Sequence, residues 1–454
     1  MKQIKLNTKR WLFSVFMIGS FLPGFTGEID YHYVDSVTYH HYVNQNWDSL
    51  IIIGKKAIEH NIDYYYLRMR MGVAYNAKEK YASSAKCFNK ALEFNQFDSY
   101  ANSNLYYSYL NMGKNSRAYR LSKNFSENLK QSMGIKPKPL ELVDLFGGYT
   151  FSNNADKNGN IKLFDAKSDM GQQIIIGDQK YLHAGLMFNI IPSFSLYAGS
   201  SFIDIAKRTR FEFAGQGHEN GHEKSFDSYI KQYEFYLNGK IQLDKGWALN
   251  LFANLLYIST PIIEYQERNF KFIEKDSSFV NWVAGINLQK DFDFITINAF
   301  GTISKLSKAN QGQLGLSCFY YPLGSTKLYG QTEFIGFFES GGLYDNDQRL
   351  LFHQMIGLKL FNKTWLEAEY LSGNLNNVNI KQALVVYNLP EKINFIAGLN
   401  LHIFATKNLE ISLIYNYSDK NGFYKSKNIT NGEIKDYTFN YQTQSIIGGI
   451  KWTF

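Results

Sequence analysis

Ser445-Ile446-Ile447-Gly448-Gly449-Ile450-Lys451-Trp452-Thr453-Phe454 closes the chain with apolar side chains at every second position back from a phenylalanine. Taken in twos, Phe454, Trp452, Ile450, Gly448 and Ile446 share one side of a strand, and Thr453, Lys451, Gly449 and Ser445 the other. Ile447 alone breaks the rule. A strand with one greasy face and an aromatic end suits the last stave of a closed barrel, whose second edge must find the first strand. The expected partner is the run near Leu142 to Ser152.

Working back from this strand, the same period of two recurs. Leu249, Leu251, Ala253, Leu255 and Tyr257 alternate with Asn250 and Asn254, and Ile295, Ile297, Ala299 and Ile303 with Thr296, Asn298 and Thr302. Phe395 to Leu401 and Leu409 to Tyr417 repeat the pattern. Short turns are expected at 191–193, 243–246, 291–293, 323–325, 362–363 and 405–408, with longer polar stretches near 153–173, 212–226, 260–277, 340–347, 372–392 and 420–438. Short turns at one end and long loops at the other is the habit of membrane barrels. Strands of about 10 to 14 residues number about 14, with about 12 or 16 as the alternatives. Ala383-Leu384-Val385-Val386-Tyr387 reads either as a wall strand or as part of an outer hairpin.

Between Ile29 and Gly134 the period is helical and the text repeats. Lys56-Ala57-Ile58-Glu59-x-Asn61 returns as Lys90-Ala91-Leu92-Glu93-x-Asn95, a shift of about 34 residues. Gly72, Ser84 and Ala91 are small where helices approach; Tyr75, Tyr81 and Phe88 fill the gaps between repeats, and Leu105, Tyr109, Gly113 and Ala118 follow one unit later. This pattern resembles the tetratricopeptide (TPR) repeat, although Tyr106 replaces a first-helix glycine and no proline ends a unit. Such arrays hold a peptide or a partner helix, or act as a spacer beneath a neighbouring domain.

Composition sets further bounds. Hydrophobic residues make up 45% and mean hydropathy is −0.30, which excludes a helical membrane protein. Aromatics reach 17%, with 33 Tyr and 36 Phe, a content suited to the girdles of a membrane barrel. Lys2, Lys5, Lys9 and Arg10 precede an apolar run from Trp11 to Leu22, which reads as an export signal. The domain division is therefore 1–26 leader, 28–133 helical repeats, 134–140 linker carrying Pro137 and Pro139, and 141–454 barrel. Cys87 and Cys318 fall in different parts, so no disulfide scaffold is expected. The net charge of +8 comes without any basic cluster interleaved with aromatics, so nucleic acid is not an expected partner.

Alternation turns Glu234, Lys240, Glu333, His353, Lys359, Glu367, Glu369, Glu410 and Lys451 into the lumen. Their signs are mixed, as in ion-pair networks that fill a narrow lumen, where a porin for one charge class carries a one-sided ring. His218-Glu219-Asn220-Gly221-His222 matches H-E-x-x-H, but zinc chemistry needs that motif on a helix, and Gly215, Gly217, Asn220 and Gly221 break helices. Asp156-Lys157-Asn158-Gly159-Asn160 echoes a calcium loop without its closing glutamate, Lys167 standing there; Asp345-Asn346-Asp347 reads as a solvated loop tip. No serine carries a nucleophile motif. No cofactor, metal site or catalytic residue is expected, and the chain does not read as an enzyme.

The closing decapeptide resembles the C-terminal signal of Gram-negative outer-membrane proteins, with Ile450, Trp452 and Phe454 as the barrel-insertion residues. Leader, TPR-like repeats and barrel together resemble the YaiO-type outer-membrane barrel proteins. The expected fold class is a two-part α+β chain, a short all-α TPR-like array followed by an antiparallel transmembrane barrel. That resemblance implies location in the outer membrane with the array in the periplasm, contact with lipid and with the barrel-assembly machinery, and a link to surface polysaccharide. The function expected is a port or accessory for glycan export whose array docks an unidentified periplasmic protein. The alternatives are a structural or adhesive surface protein that uses the barrel as an anchor, and an outer-membrane enzyme that uses the 212–226 loop.

Overall fold

The computed structural model describes residues 30–135, 139–164, 169–191, 193–214, 222–266, 271–341, 347–428 and 431–454. The leader, residues 136–138 of the linker, His218 to Gly221 of the H-E-x-x-H match, Lys167, and Asp345 with Asn346 lie outside these residues.

A helical array comes first. Its helices are α1 (Tyr31–Val43), α2 (Trp47–Glu59), α3 (Tyr65–Ala77), α4 (Tyr81–Phe94), α5 (Ser99–Asn111), α6 (Asn115–Lys123) and α7 (Glu127–Ser132). The small residues act where the repeat text puts them. A side chain at Gly72 would meet the Phe88 ring at 2.8 Å, and Ser84 Oγ donates to the Gly72 carbonyl at 2.9 Å. Helices α3 and α4 therefore pack closely at Gly72, where a larger residue has no room. Buried Phe88, Ala91, Leu105, Tyr109 and Ala118 continue the core into the next pair.

The second part is a closed antiparallel barrel of 14 strands. Its wall comprises β1 (Leu140–Ser152), β2 (Met170–Ile191), β3 (Phe194–Phe213), β4 (His222–Gln242), β5 (Trp247–Gln266), β6 (Lys271–Asp291), β7 (Ile295–Leu306), β8 (Ala309–Tyr320), β9 (Leu328–Ser340), β10 (Asp347–Phe361) and β11 (Thr364–Ser372). After a short inner hairpin, β12 (Val378–Ile380) and β13 (Val385–Tyr387), the wall resumes with β14 (Lys392–Phe404), β15 (Leu409–Lys427) and β16 (Ile434–Thr453). The last strand pairs with the first from Leu142 opposite Thr453 to Ser152 opposite Thr443. Gly449 makes this seam possible, since any side chain there would strike the Phe146 ring.

Outward positions carry the apolar set. Leu251, Leu255, Leu399, Leu413, Ile446, Ile450, Trp452 and Phe454 are all exposed, while their polar alternates Asn250, Asn254, Asn298, Asn400 and Ser412 are buried. This inverts a soluble fold and suits a wall with hydrocarbon outside and polar groups inside. Trp247, Phe292, Phe294, Phe404 and Trp452 ring the short-turn end, and Phe202, Tyr233 and Tyr257 form a row of ring contacts farther along.

Three details differ from the sequence expectation. Several strands run to about 20 residues because β-pairing continues into stretches expected as loops: 212–213, 222–226, 260–266 and 271–277 are strand. A tight connection at Ser307 and Lys308, both at positive φ, joins β7 to β8; it carries no Gly, Pro or Asn to mark it. Asp156 to Asn158 ends a short helix, Asn154–Asn158, in which Asn158 bonds Asn154 at 3.1 Å.

The array docks on the short-turn mouth of the barrel. Arg117 pairs with Asp293 at 3.3 Å, Arg120 with Asp244, and the Ala82 amide donates to the Gly324 carbonyl at 3.0 Å. Lys327 pairs with Glu79 and holds its carboxyl below the usual carboxylate range. Buried Lys114 lies 5.8 Å over the Tyr321 ring.

Candidate functional site in the barrel lumen

The chain between β11 and β14 turns inward and crosses the lumen, so Ala383 to Tyr387 is neither a wall strand nor an outer hairpin. The sequence in this segment supplies its own adhesive on both sides. Leu375, Val378 and Ile380 join Ile335, Phe337, Leu351, Leu371, Ile393 and Ile396 of one wall. Ala383 and Val386 join Tyr236, Phe252, Leu256, Val283 and Leu306 of a second stretch of wall, on β4 to β7. Apolar residues that face inward, exceptions to the polar-inside rule, are thereby explained: they receive the hairpin.

Polar pairs fix its position. Asn379 donates to Thr302 at 3.1 Å and accepts from Gln313 on its carbonyl at 2.8 Å. Asn238 reaches Gln382 at 2.9 Å, Asn254 reaches the Ala383 carbonyl at 2.8 Å, and Asn388 reaches Gln232 at 2.9 Å. At the stem Arg349 bonds the Asn376 carbonyl and lies 3.8 Å over the Phe337 ring. The tip is strained, because Lys381, Gln382 and Ala383 take φ of 51°, 56° and 64° in succession. Each non-glycine residue in this left-handed region costs about 1–2 kcal/mol, so the contacts around the tip hold it against its own backbone preference.

The candidate lumen residues divide into groups. Glu333, His353 and Glu369 meet: His353 lies 3.7 Å from Glu333 and 2.8 Å from Glu369, and Lys381 of the hairpin reaches Glu369 at 3.2 Å. Glu367, Glu410 and Lys451 meet around His402, which lies 3.5 Å from Glu367 and 2.8 Å from Glu410, with Lys451 3.3 Å from Glu410. Each cluster thus holds two carboxylates, one ammonium and one imidazole. Glu234, Lys240 and Lys359 stand apart: Glu234 is buried and accepts from Gln232 at 2.6 Å, Lys240 lies opposite Asn250, and Lys359 covers the Trp365 ring at 5.2 Å. At the seam, Trp452 faces outward opposite Val143, Ile450 does so opposite Leu145, and the Phe454 amide donates to the Glu141 carbonyl at 2.9 Å.

Ser201, His183 and Asp144 also come together inside β1 to β3, with His183 Nδ1 2.9 Å from Ser201 Oγ. The Tyr197 hydroxyl occupies the other ring nitrogen at 2.8 Å and bonds Asp144 at 3.1 Å. Bare Gly199 lies against the imidazole, where even a Cβ would come within 2.9 Å. Ser201, His183 and Asp144 are all buried, and with Tyr197 they form a hydrogen-bonded polar layer.

A cavity of about 340 Å³ lies between the hairpin tip and the short-turn half of the wall. Neutral amides and hydroxyls, among them Asn287, Asn298, Thr302 and Gln331, line it beside the apolar Phe300, Phe319, Met355 and Ile380, and Glu333, His353 and Lys381 form one charged corner. Asn287 is 1% exposed, and neither atom of its amide has a hydrogen-bond partner among the described residues. Sequence reasoning weighed the inward charges and passed over these amides. The signal was present in the polar alternates Asn250, Asn254 and Asn298, each on the inner parity of its strand.

No family model matches the chain, and no curated protein matches it. Among solved structures, the P. putida toluene transporter TodX is similar over 73% of this chain and 95% of its own, at 8% identity and a TM-score of 0.44. A Pseudomonas aeruginosa FadL homologue is similar over 69% and 90%, at 9% identity and 0.44. The Acinetobacter baumannii outer-membrane protein Omp33 is similar over 70% and 99%, at 9% identity and 0.32.

Proposed function

We propose that this chain is an outer-membrane barrel that serves as a gated port for neutral, hydroxyl-rich cargo of the surface-polysaccharide kind. The inner hairpin is its gate, and the TPR-like array on its periplasmic mouth is the dock for a partner that delivers the cargo. The observation that carries this reading is the hairpin itself, a segment anchored to two stretches of wall with an amide-bearing cavity beneath its strained tip. A barrel meant only as an anchor has no use for such a cavity. The apolar outer face supports contact with lipid, the terminal strand Ser445 to Phe454 supports recognition by the barrel-assembly machinery, and the resemblance to the YaiO-type proteins agrees with both.

The charge clusters favour neutral cargo. Two carboxylates facing one ammonium and one imidazole leave no one-sided ring to select anions or cations. Amides and hydroxyls along the path exchange hydrogen bonds with a glycan at little net cost. The test is liposome swelling with the chain in which residues 374–390 are replaced by a short Gly-Ser turn. Neutral oligosaccharides should enter through that variant and stay out with the intact chain. Exclusion of oligosaccharides by both proteins would refute the port.

A further inference from the structure

We infer that the lumenal cavity under the hairpin tip is a binding site for one or two units of a neutral sugar. The inference rests on the port reading for its cargo class and goes beyond it by naming the site. A volume of about 340 Å³ falls at the small end of ligand sites, which run from roughly 300 to 1,000 Å³. One or two pyranose rings fit; a longer chain does not.

The chemistry of the lining narrows the class. Asn287 presents a buried donor and a buried acceptor, both without a partner among the described residues. An unpaired buried polar atom is costly, and a ligand that both donates and accepts removes that cost. A carboxylate only accepts and an ammonium only donates, whereas a hydroxyl does both. Asn298 donates to Ser317 at 3.2 Å and Gln331 donates to Glu333 at 3.2 Å, so these amides are held in place with further valences free for a hydroxyl rim. Phe300 and Phe319 offer apolar faces to the C–H face of a sugar ring. The charged corner is satisfied internally, His353 standing between Glu333 and Glu369, with Lys381 on Glu369. It leaves no unpaired charge for an ionic ligand.

Occupancy is felt by the gate. Asn379, Ile380, Lys381 and Gln382 of the tip line the same cavity, so a ring seated on Asn287 touches the strained turn directly. Sugar binding and hairpin position are then coupled, and each biases the other equally.

The experiment is calorimetric titration of the full chain in detergent micelles with glucose, galactose, N-acetylglucosamine and their β-linked disaccharides, with glucuronate and glucosamine as the charged counterparts. At least one neutral sugar should bind, more tightly than either charged sugar. Asn287→Ala and, separately, Phe319→Leu should each weaken binding by about tenfold, the equivalent of one hydrogen bond or one ring face. Asn250→Ala is the control: its Nδ2 is equally buried and unpaired, but it does not line the cavity, and binding should be unchanged. The site is overturned if no neutral sugar binds, if charged sugars bind as well, or if all three variants behave alike. If the hairpin-replaced variant passes oligosaccharides while the intact chain binds no sugar, the port stands and the site falls; the reverse pair of results separates them the other way.

Discussion

Replacing Gly324 by alanine should loosen the helical array from the barrel while leaving both folded. Gly324 sits in the turn between β8 and β9 at φ +63°, and a Cβ there would come within 2.8 Å of Ala82 Cβ and 3.1 Å of the Phe294 ring. The substitution carries three costs. The left-handed backbone costs about 1–2 kcal/mol with a side chain, the overpacking against α4 about 1–3 kcal/mol, and loss of the Ala82 to Gly324 hydrogen bond about 1 kcal/mol. Gly341 provides the control, since it has φ +73° and a Cβ there would meet nothing within 4 Å. Gly341→Ala carries the first cost alone. The difference between the variants, about 2–4 kcal/mol, falls on docking.

The Ala82 amide is a direct reporter. As the second residue of α4 it has no acceptor within its own helix, and the Gly324 carbonyl is the partner that protects it. Hydrogen exchange at Ala82 should accelerate by roughly 30- to 1,000-fold in Gly324→Ala relative to Gly341→Ala, the range that 2–4 kcal/mol implies. Resistance of the barrel to unfolding in cold SDS should be the same in both. Equal exchange at Ala82 in the two variants would refute the docked arrangement.

Within the array, Gly72→Val drives a branched side chain into Phe88 and costs about 2–4 kcal/mol with the Ser84 bond included; the helical melt should fall while the barrel melt stays put. Burial lowers Lys114 to about 8, below its free value, so the docked state resists the proton: docking should strengthen as pH rises through about 8 toward 10.5, and Lys114→Met should be tighter than the parent at pH 7, with the gap closing at pH 10. A melt showing Lys114→Met weaker at pH 7 would contradict this. Deleting Phe454 should lower the yield of assembled barrel in cells yet leave the melt of protein refolded into micelles within about 1 kcal/mol of the parent, read by heat-modifiable gel migration.

Much of the wall was legible because a barrel with an apolar outer face writes its period twice, once as apolar residues outward and once as polar residues inward. The terminal strand, its partner near Leu142 to Ser152, and the turns at 243–246, 291–293, 323–325, 362–363 and 405–408 could be read from that alternation and from Gly, Asn and Asp at the turns. The array was legible from a repeat in which Gly72, Ser84 and Ala91 must be small. The inner hairpin was not. Val385, Val386 and Tyr387 have strand propensity wherever they lie, and nothing local says that Leu375, Val378 and Ile380 will find apolar partners inside a lumen expected to be polar. The inward Ile335, Phe337 and Leu371 were the missing half of that signal, visible only when the strands are placed side by side. Pairing of Glu369 with Lys381 and of Glu410 with His402 likewise depends on register between strands distant in sequence, so the candidate residues could be chosen one by one but not grouped.

The central claim is that the barrel is held shut by its own hairpin. Single-channel recording in a planar bilayer measures this directly, with the intact chain beside the variant in which residues 374–390 give way to a short Gly-Ser turn. The intact chain should stay closed with rare openings, and the variant should conduct steadily with a modest preference for cations, because Lys381 leaves with the hairpin and Glu333 and Glu369 then face His353 alone. Equal conductance in the two proteins would contradict the gate.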